Sequence, residues 1–460
     1  MVGNGTLVVI LSFAMAFAFA GRYWNKEATQ GVETASAYYG QANVYNVACA
    51  GANIGCDSLF VNTAATNLDL SGKMGSASYR VTVTPMAVGS GSGCVLRSIG
   101  TYSDAAADYT DEVDVILTMR QYSQWQFYSN NENGIWWTTG DVVTGPLYTN
   151  DVLNVSGKPV FNGQVRTGGG VVYDPNAKNK PQFLGGLVTG GPNNTMASVL
   201  PTAAAAGPAS TFTNPNPDPS STYDLYMTFG SDASGGNVTY YTTGKHDSSY
   251  TQTYTTFWGT IKTRTVTVTV TSTTPSQTVP LSTFAPQGVV AVVNGDAHVQ
   301  GTLQGTLTVV SQQGNCGSGN SGNVFIDADV KYKTDPTKNA GSTDMLGLVA
   351  DNNVTLTGTQ EDVTIQAAIY AKNGSFSYQG YDKNGPYDKI NLYGSIANNI
   401  RGPVGTFTTD WSGKTVIQTG YNKNYVYDPR LSTSAPPSFP YTGNFGIVTW
   451  REAPPTIVYH

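Results

Sequence analysis

Residues 6–20 read TLVVILSFAMAFAFA, and no charged side chain stands between Met1 and Gly21. Arg22, Lys26 and Glu27 open a different segment, whose continuation EATQGVETASAYYGQANVYNVACA (residues 27–50) is rich in alanine and free of proline. The larger apolar residues beyond Arg22, namely Trp24, Val32, Tyr38, Tyr39, Val44 and Val47, fall at loosely helical spacing. The economical prediction is one helix over residues 1–50, apolar over 1–21 and amphipathic over 22–50. At 1.5 Å per residue, some 45 helical residues extend roughly 65–70 Å, more than a small domain needs.

Composition narrows the rest. Charged residues make up 12% of the 460, half the usual share, while glycine (52) and tyrosine (28) are abundant. Such a chain suits β-strands joined by tight turns, and the predicted class is α+β, mainly β. A formal net charge of −6 excludes nucleic acid as a partner, which demands a basic footprint. Three histidines, His246, His298 and His460, stand apart from any nucleophile or metal-ligand spacing. Zincin, nucleophile-elbow, phosphate-loop and calcium-loop motifs are lacking. The expectation is no enzyme, no catalytic residue, no metal and no cofactor. Asp327 and Asp329 in FIDADV share a strand face and are the one carboxylate pair that a sugar hydrolase or lyase would use; a solvated face is the plainer reading.

Cys49, Cys56, Cys94 and Cys316 lack metal-binding spacing. In an oxidising compartment they are expected to pair. Three connectivities exist, of which Cys49–Cys56 with Cys94–Cys316 is preferred; four free thiols is the alternative.

Beyond the helix, residues 51–75 read as a loop with short strands. YRVTVTPM (79–86), VLRSIGTYS (95–103) and DEVDVILTMRQY (111–122) alternate with period two and predict antiparallel strands, with Asp111, Glu112 and Asp114 on a solvated face. In GIWWTTGDVVTGPLYTNDVLNVSGKPVFNGQVRTGGG (134–170), glycine or asparagine breaks short apolar steps every five to eight residues, the rhythm of parallel β-helix rungs. Of Trp136 and Trp137, one must face the opposite side of a strand; core or interface use is preferred to sugar stacking. The motifs NGDAHVQG (294–301) and DNNVTLTG (351–358) echo TNDVLNVSG (149–157), so a second rung region is predicted with coils of roughly 18–25 residues. The resulting division is a β-rich first part over 51–200, a low-complexity linker over 201–222 and a Thr/Tyr-rich β arm over 223–287. A β-helix-like region with a proline-rich cap on its open end completes it over 288–460.

The uncharged N-terminus, the unbroken apolar run and its alanine-rich continuation resemble the N-terminal helix of type IV pilin-like proteins. The segments GIWWTTGDVVTGPLYTND, KPVFNGQV, MLGLVADNNV, AAIYAKNGSF, GSIANNIRGPVGTF and YVYDPRL…PPSFP are similar to the heads of large bacterial surface proteins of that kind. The resemblance implies a structural subunit of an extracellular filament, reached through the inner membrane, with a role in cell adhesion. Its partners would be copies of itself, other pilins and, before assembly, the membrane. The implied assembly residues are Asn4, Gly5, Thr6, Leu7, Val8, Val9, Ile10, Leu11, Phe13, Ala14, Met15, Ala16, Phe17, Ala18, Phe19 and Ala20. Gly5 departs from the glutamate usual at the fifth mature position, a departure found in some minor, tip-located members. A secretory signal peptide would want a basic n-region, and 15–21 apolar residues is short for a plain anchor. The competing functions are a membrane-anchored β-helix protein that binds or cleaves polysaccharide, and a tip adhesin with a carbohydrate surface as partner.

Overall fold

The structure, a computed structural model, describes residues 3–61, 67–88, 91–177, 179–190, 196, 203–215, 221–314, 321–409 and 415–460. It is mainly β, with one long N-terminal apolar helix followed by a β-rich head of antiparallel and parallel sheets. The chain divides into two compact units, Met1–Met119 with Gly443–His460, and Arg120–Thr442.

In the first unit, helix α1 spans Gly3–Val61 and so runs well past residue 50, through the segment expected to be a loop. The reason lies in its buried face, which is built mostly of small residues: Gly40, Val44, Val47, Ala48, Gly51, Ala52, Gly55 and Cys56, with Leu59 at its end. Glycine inside a helix costs about 1 kcal/mol relative to alanine, yet here it permits close packing. A Cβ on Gly51 would sit 2.5 Å from Ser98 Oγ, and one on Gly55 would sit 2.6 Å from Leu96 Cδ1. The aromatic residues expected on the amphipathic face, Trp24, Tyr38 and Tyr39, are exposed instead.

Against α1 lie four antiparallel strands, β1 (Asp69–Met74), β2 (Ala77–Val88), β3 (Gly91–Ser103) and β4 (Ala107–Gln121). Strands Tyr441–Glu452 and Thr456–Tyr459 add to β4. Along β4 every second side chain points inward, so Val113, Val115 and Leu117 are fully buried. Glu112 and Asp114 face outward and meet Arg97 at 3.0 and 2.8 Å. Asp111 is a correction to the solvated trio: its odd position places it inward and buried, and burial raises its carboxyl pKa.

The second unit is built around a stack of parallel strands. Val142 pairs with Val160, Leu147 with Val165 and Leu153 with Val171, each an eighteen-residue step. The next coil takes a 22-residue step, Val165 pairing with Leu187. A second run of coils stacks Val289–Val293, Thr306–Gln312, Met345–Ala350, Asp362–Ala371 and Lys389–Ile400 in parallel. Ile396–Asn398 then pair with Phe127–Ser129, so the two runs form one continuous stack in which the earlier sequence follows the later. Inward Val, Leu and Ile side chains fill its interior. Strands such as VVAVV and MLGLVA are buried on both faces, which accounts for their lack of alternation. On the outer face of the stack, Tyr128, Tyr148 and Tyr370 from neighbouring strands join them in a second buried cluster with Ala206, Leu431 and Phe439.

Two expected boundaries move. Within 201–222, the described residues are part of the stack: Thr211–Thr213 pair in parallel with Ala291–Val293, and buried Ser210 donates to Phe284 O at 2.8 Å. The C-terminal proline-rich segment covers a side of the stack rather than its end. Pro436 and Phe439 lie against Gly347, where an added Cβ would come within 3.0 Å of both, and Pro437 O accepts from Thr308 Oγ1 at 2.6 Å. Residues from Gly443 onward belong to the first unit. The Thr/Tyr-rich region does form a long two-stranded ribbon, Thr243–Thr255 paired with Ile261–Thr273, with Phe257 and Trp258 exposed at its turn.

Candidate functional site: an uncovered apolar helix

The first turns of α1 are what the fold leaves unfinished. Leu7, Val8, Val9, Ile10, Leu11, Phe13, Met15, Phe17 and Phe19 are each 50–75% exposed. Gly5, Thr6, Ala14, Ala16, Ala18 and Ala20 are exposed beside them; the Asn4 side chain lies outside the described residues. The polar side chain within the run, Ser12, turns inward on the helix and donates to Val8 O at 2.8 Å. No ionisable group precedes Arg22 after the N-terminus, so the segment is apolar all round rather than along one stripe. Residues 3–21 extend roughly 28 Å at 1.5 Å per residue, close to a hydrocarbon core of about 30 Å. Burying each large side chain is worth about 1.5–3 kcal/mol. Nine such side chains left in water demand a cover, whether lipid or protein.

The helix changes character where the chain supplies its own cover. From Gly40 onward one face is buried on β2, β3 and β4, and the close glycine contacts there have no counterpart at Gly5, Gly21 or Gly31.

The cysteines correct the expected pairing. Cys49, Cys56 and Cys94 are free thiols, and Cys316 lies outside the described residues. Positions 49 and 56 sit on one helix, seven residues or roughly 10 Å apart, beyond the Cα separation of about 4.4–6.8 Å that a disulfide spans. Burial, with Asp57 and Cys94 nearby, pushes the Cys56 thiol up to about 11, the range of an inert core cysteine.

Asp327, Asp329 and His298, singled out in the sequence, are engaged by neighbouring side chains and backbone. Asp327 accepts from Thr357 Oγ1 at 2.6 Å and meets His298 Nδ1 at 2.9 Å. The His298 ring stacks between Tyr226 and Phe325, at centroid distances of 4.2 and 4.7 Å. Asp329 accepts from Thr364 N at 2.8 Å and pairs with Lys331. Among the described residues no group of His, Cys, Asp and Glu is arranged to hold a metal ion. His246 lies in the exposed ribbon, and His460 meets Asp108 at 3.5 Å. The tryptophans split as their alternation requires: Trp137 is core, packed edge-on to Phe127 and Phe161, while Trp136 is half-buried.

No protein-family model and no curated protein matches the chain. Among solved structures, the competence-associated pilin ComZ from Thermus thermophilus is similar, with 14% identity, coverage of 91% of this chain and 98% of that chain, and a TM-score of 0.33.

Proposed function

We propose that the chain is a structural subunit of an extracellular type IV pilin-like filament. Its apolar helix holds it in the inner membrane and then packs among the helices of neighbouring copies, while the β-rich head is displayed at the surface. The observation that supports this reading is the all-round exposure of Leu7 to Phe19 on a helix whose lower half is anchored to the head by glycine-mediated contacts. A segment apolar on every side suits lipid and the centre of a helical bundle equally, so it can pass from one to the other at little cost in exposed surface. Ala14, Ala16, Ala18 and Ala20 leave room for backbones to approach, the usual device where helices associate without a hydrophobic drive from water. No catalytic step is assigned.

Leu11→Arg tests it. A cation at the centre of the run costs about 2.5–3.5 kcal/mol in a membrane helix, and more against packed apolar neighbours. Cells carrying the variant should lose surface filaments while the head keeps its β-rich circular dichroism. Filaments of wild-type length and number from the variant would contradict the proposal.

A further inference from the structure

A cavity of 810 Å³ opens in the second unit where residues 135–141 meet residues 401–407 and 421–425. Its size is that of small-molecule sites, about 300–1,000 Å³. The rings of Trp136, Tyr381, Phe407 and Tyr421 contribute to its walls.

Its polar lining is held by a network of residues that lie far apart along the chain. Arg401 Nη1 donates to Glu132 Oε2 at 2.9 Å and to Ile135 O at 3.2 Å, and its guanidinium lies 3.9 Å from the centre of the Trp137 ring. Trp137 Nε1 donates to the same Glu132 oxygen at 3.1 Å. Beside them, Lys423 Nζ donates to Asp141 Oδ2 at 2.9 Å, and that oxygen also accepts from Thr138 N at 2.8 Å. Lys423 keeps 22% of its side chain exposed and Asp141 keeps 7%. The pair therefore presents a donor and an acceptor side by side, fixed before any ligand arrives.

The charges decide the ligand class. Arg401 and Lys423 each face a carboxylate, and Lys389, at the edge, stands 3.7 Å from Asp388. An anion would find no unanswered cation among these described lining residues. A purely apolar ligand would cover Lys423 and Asp141 while replacing none of their water, which is costly. Sugar rings offer flat C–H faces for aromatic walls and hydroxyls that both donate and accept. We propose that this cavity binds a neutral oligosaccharide, with Trp136 and Phe407 stacking on sugar faces and the Lys423–Asp141 pair bonding hydroxyls.

The full chain in detergent is titrated with maltohexaose, cellohexaose, chitohexaose and, as the acidic probe, hexagalacturonate, read by calorimetry and tryptophan fluorescence. The expected result is saturable binding of at least one neutral probe. Phe407→Ala, on a surface hairpin where the side chain is 41% exposed and the fold is not at stake, should weaken that binding roughly tenfold, the worth of one aromatic contact. Trp136→Ala should do the same, and if it disturbs the fold, Phe407→Ala decides alone. The proposal is overturned by no saturable neutral binding, by neutral binding indifferent to Phe407→Ala, or by tighter binding of hexagalacturonate than of every neutral probe.

Discussion

Asp296, Asn323 and Asn353 sit one above the other at a corner of the stack, and each holds the coil above it. Asp296 Oδ1 accepts from Asn323 N at 2.8 Å and from its Nδ2 at 3.0 Å. Asn323 Oδ1 accepts from Asn353 N at 3.2 Å, and Asn353 Oδ1 from Ser375 N at 3.0 Å. Asn/Asp turns were legible in NGDAHVQG and DNNVTLTG; their alignment into a ladder was not, because the insertions between coils hide the register. Burial pushes the Asp296 carboxyl up to about 6, with Asn323 pulling it back and Asp224 adding to the rise. An unfolded aspartate titrates near about 4, so the folded chain binds this proton more tightly and loses stability as pH rises from about 4 to about 6. Asp296→Asn keeps an oxygen acceptor but removes the ionisation. In thermal unfolding of the full chain in detergent, the variant should show a smaller fall in midpoint across that interval; identical profiles would contradict the assignment.

Among the elements, α1 carries a sequence pattern that marks its start more plainly than its end. The apolar run and its helical continuation are legible in the sequence, but the helix end is not, because beyond residue 50 the buried stripe is Gly51, Ala52, Gly55 and Cys56, with Leu59 its one large apolar residue, and carries little hydrophobic signal. Only the sheet reveals why those residues stand there. Gly100 on β3 is the tightest point: an added Cβ would lie 2.4 Å from Val44 O and 2.9 Å from Ala48 N, both backbone atoms that cannot swing aside. Gly100→Ala should therefore destabilise the first unit by about 1–3 kcal/mol, the usual cost of overpacking. Alanine otherwise favours a strand over glycine, so an unchanged or raised unfolding midpoint would show that α1 does not press on β3 there. The β4 sequence shows its period of two, but Asp111 and Glu112 are adjacent and face opposite sides, and Asp111 takes the buried one.

For the molecule as a whole, the rung rhythm of residues 134–170 and the second rung region after Gly288 were legible from short apolar steps and turn residues. Their order in space was not, since Phe127–Ser129 stack after Ile396–Asn398 across more than half the chain. The cavity shares that difficulty. Trp136 stood out in the sequence, whereas Arg401, Phe407 and Lys423 reach it only through the same long-range stacking. The apolar helix is the opposite case, because a helix apolar on every side is already legible in residues 6–20, which carry no charge. Electron microscopy of filaments sheared from cells expressing this chain, with helical reconstruction, is the most direct test of that role. The expected result is filaments built mainly of this chain, with residues 6–20 packed in a central helical bundle and the heads outside. Cells that make the protein but yield no such filaments, with all of it retained in the membrane fraction, would contradict it.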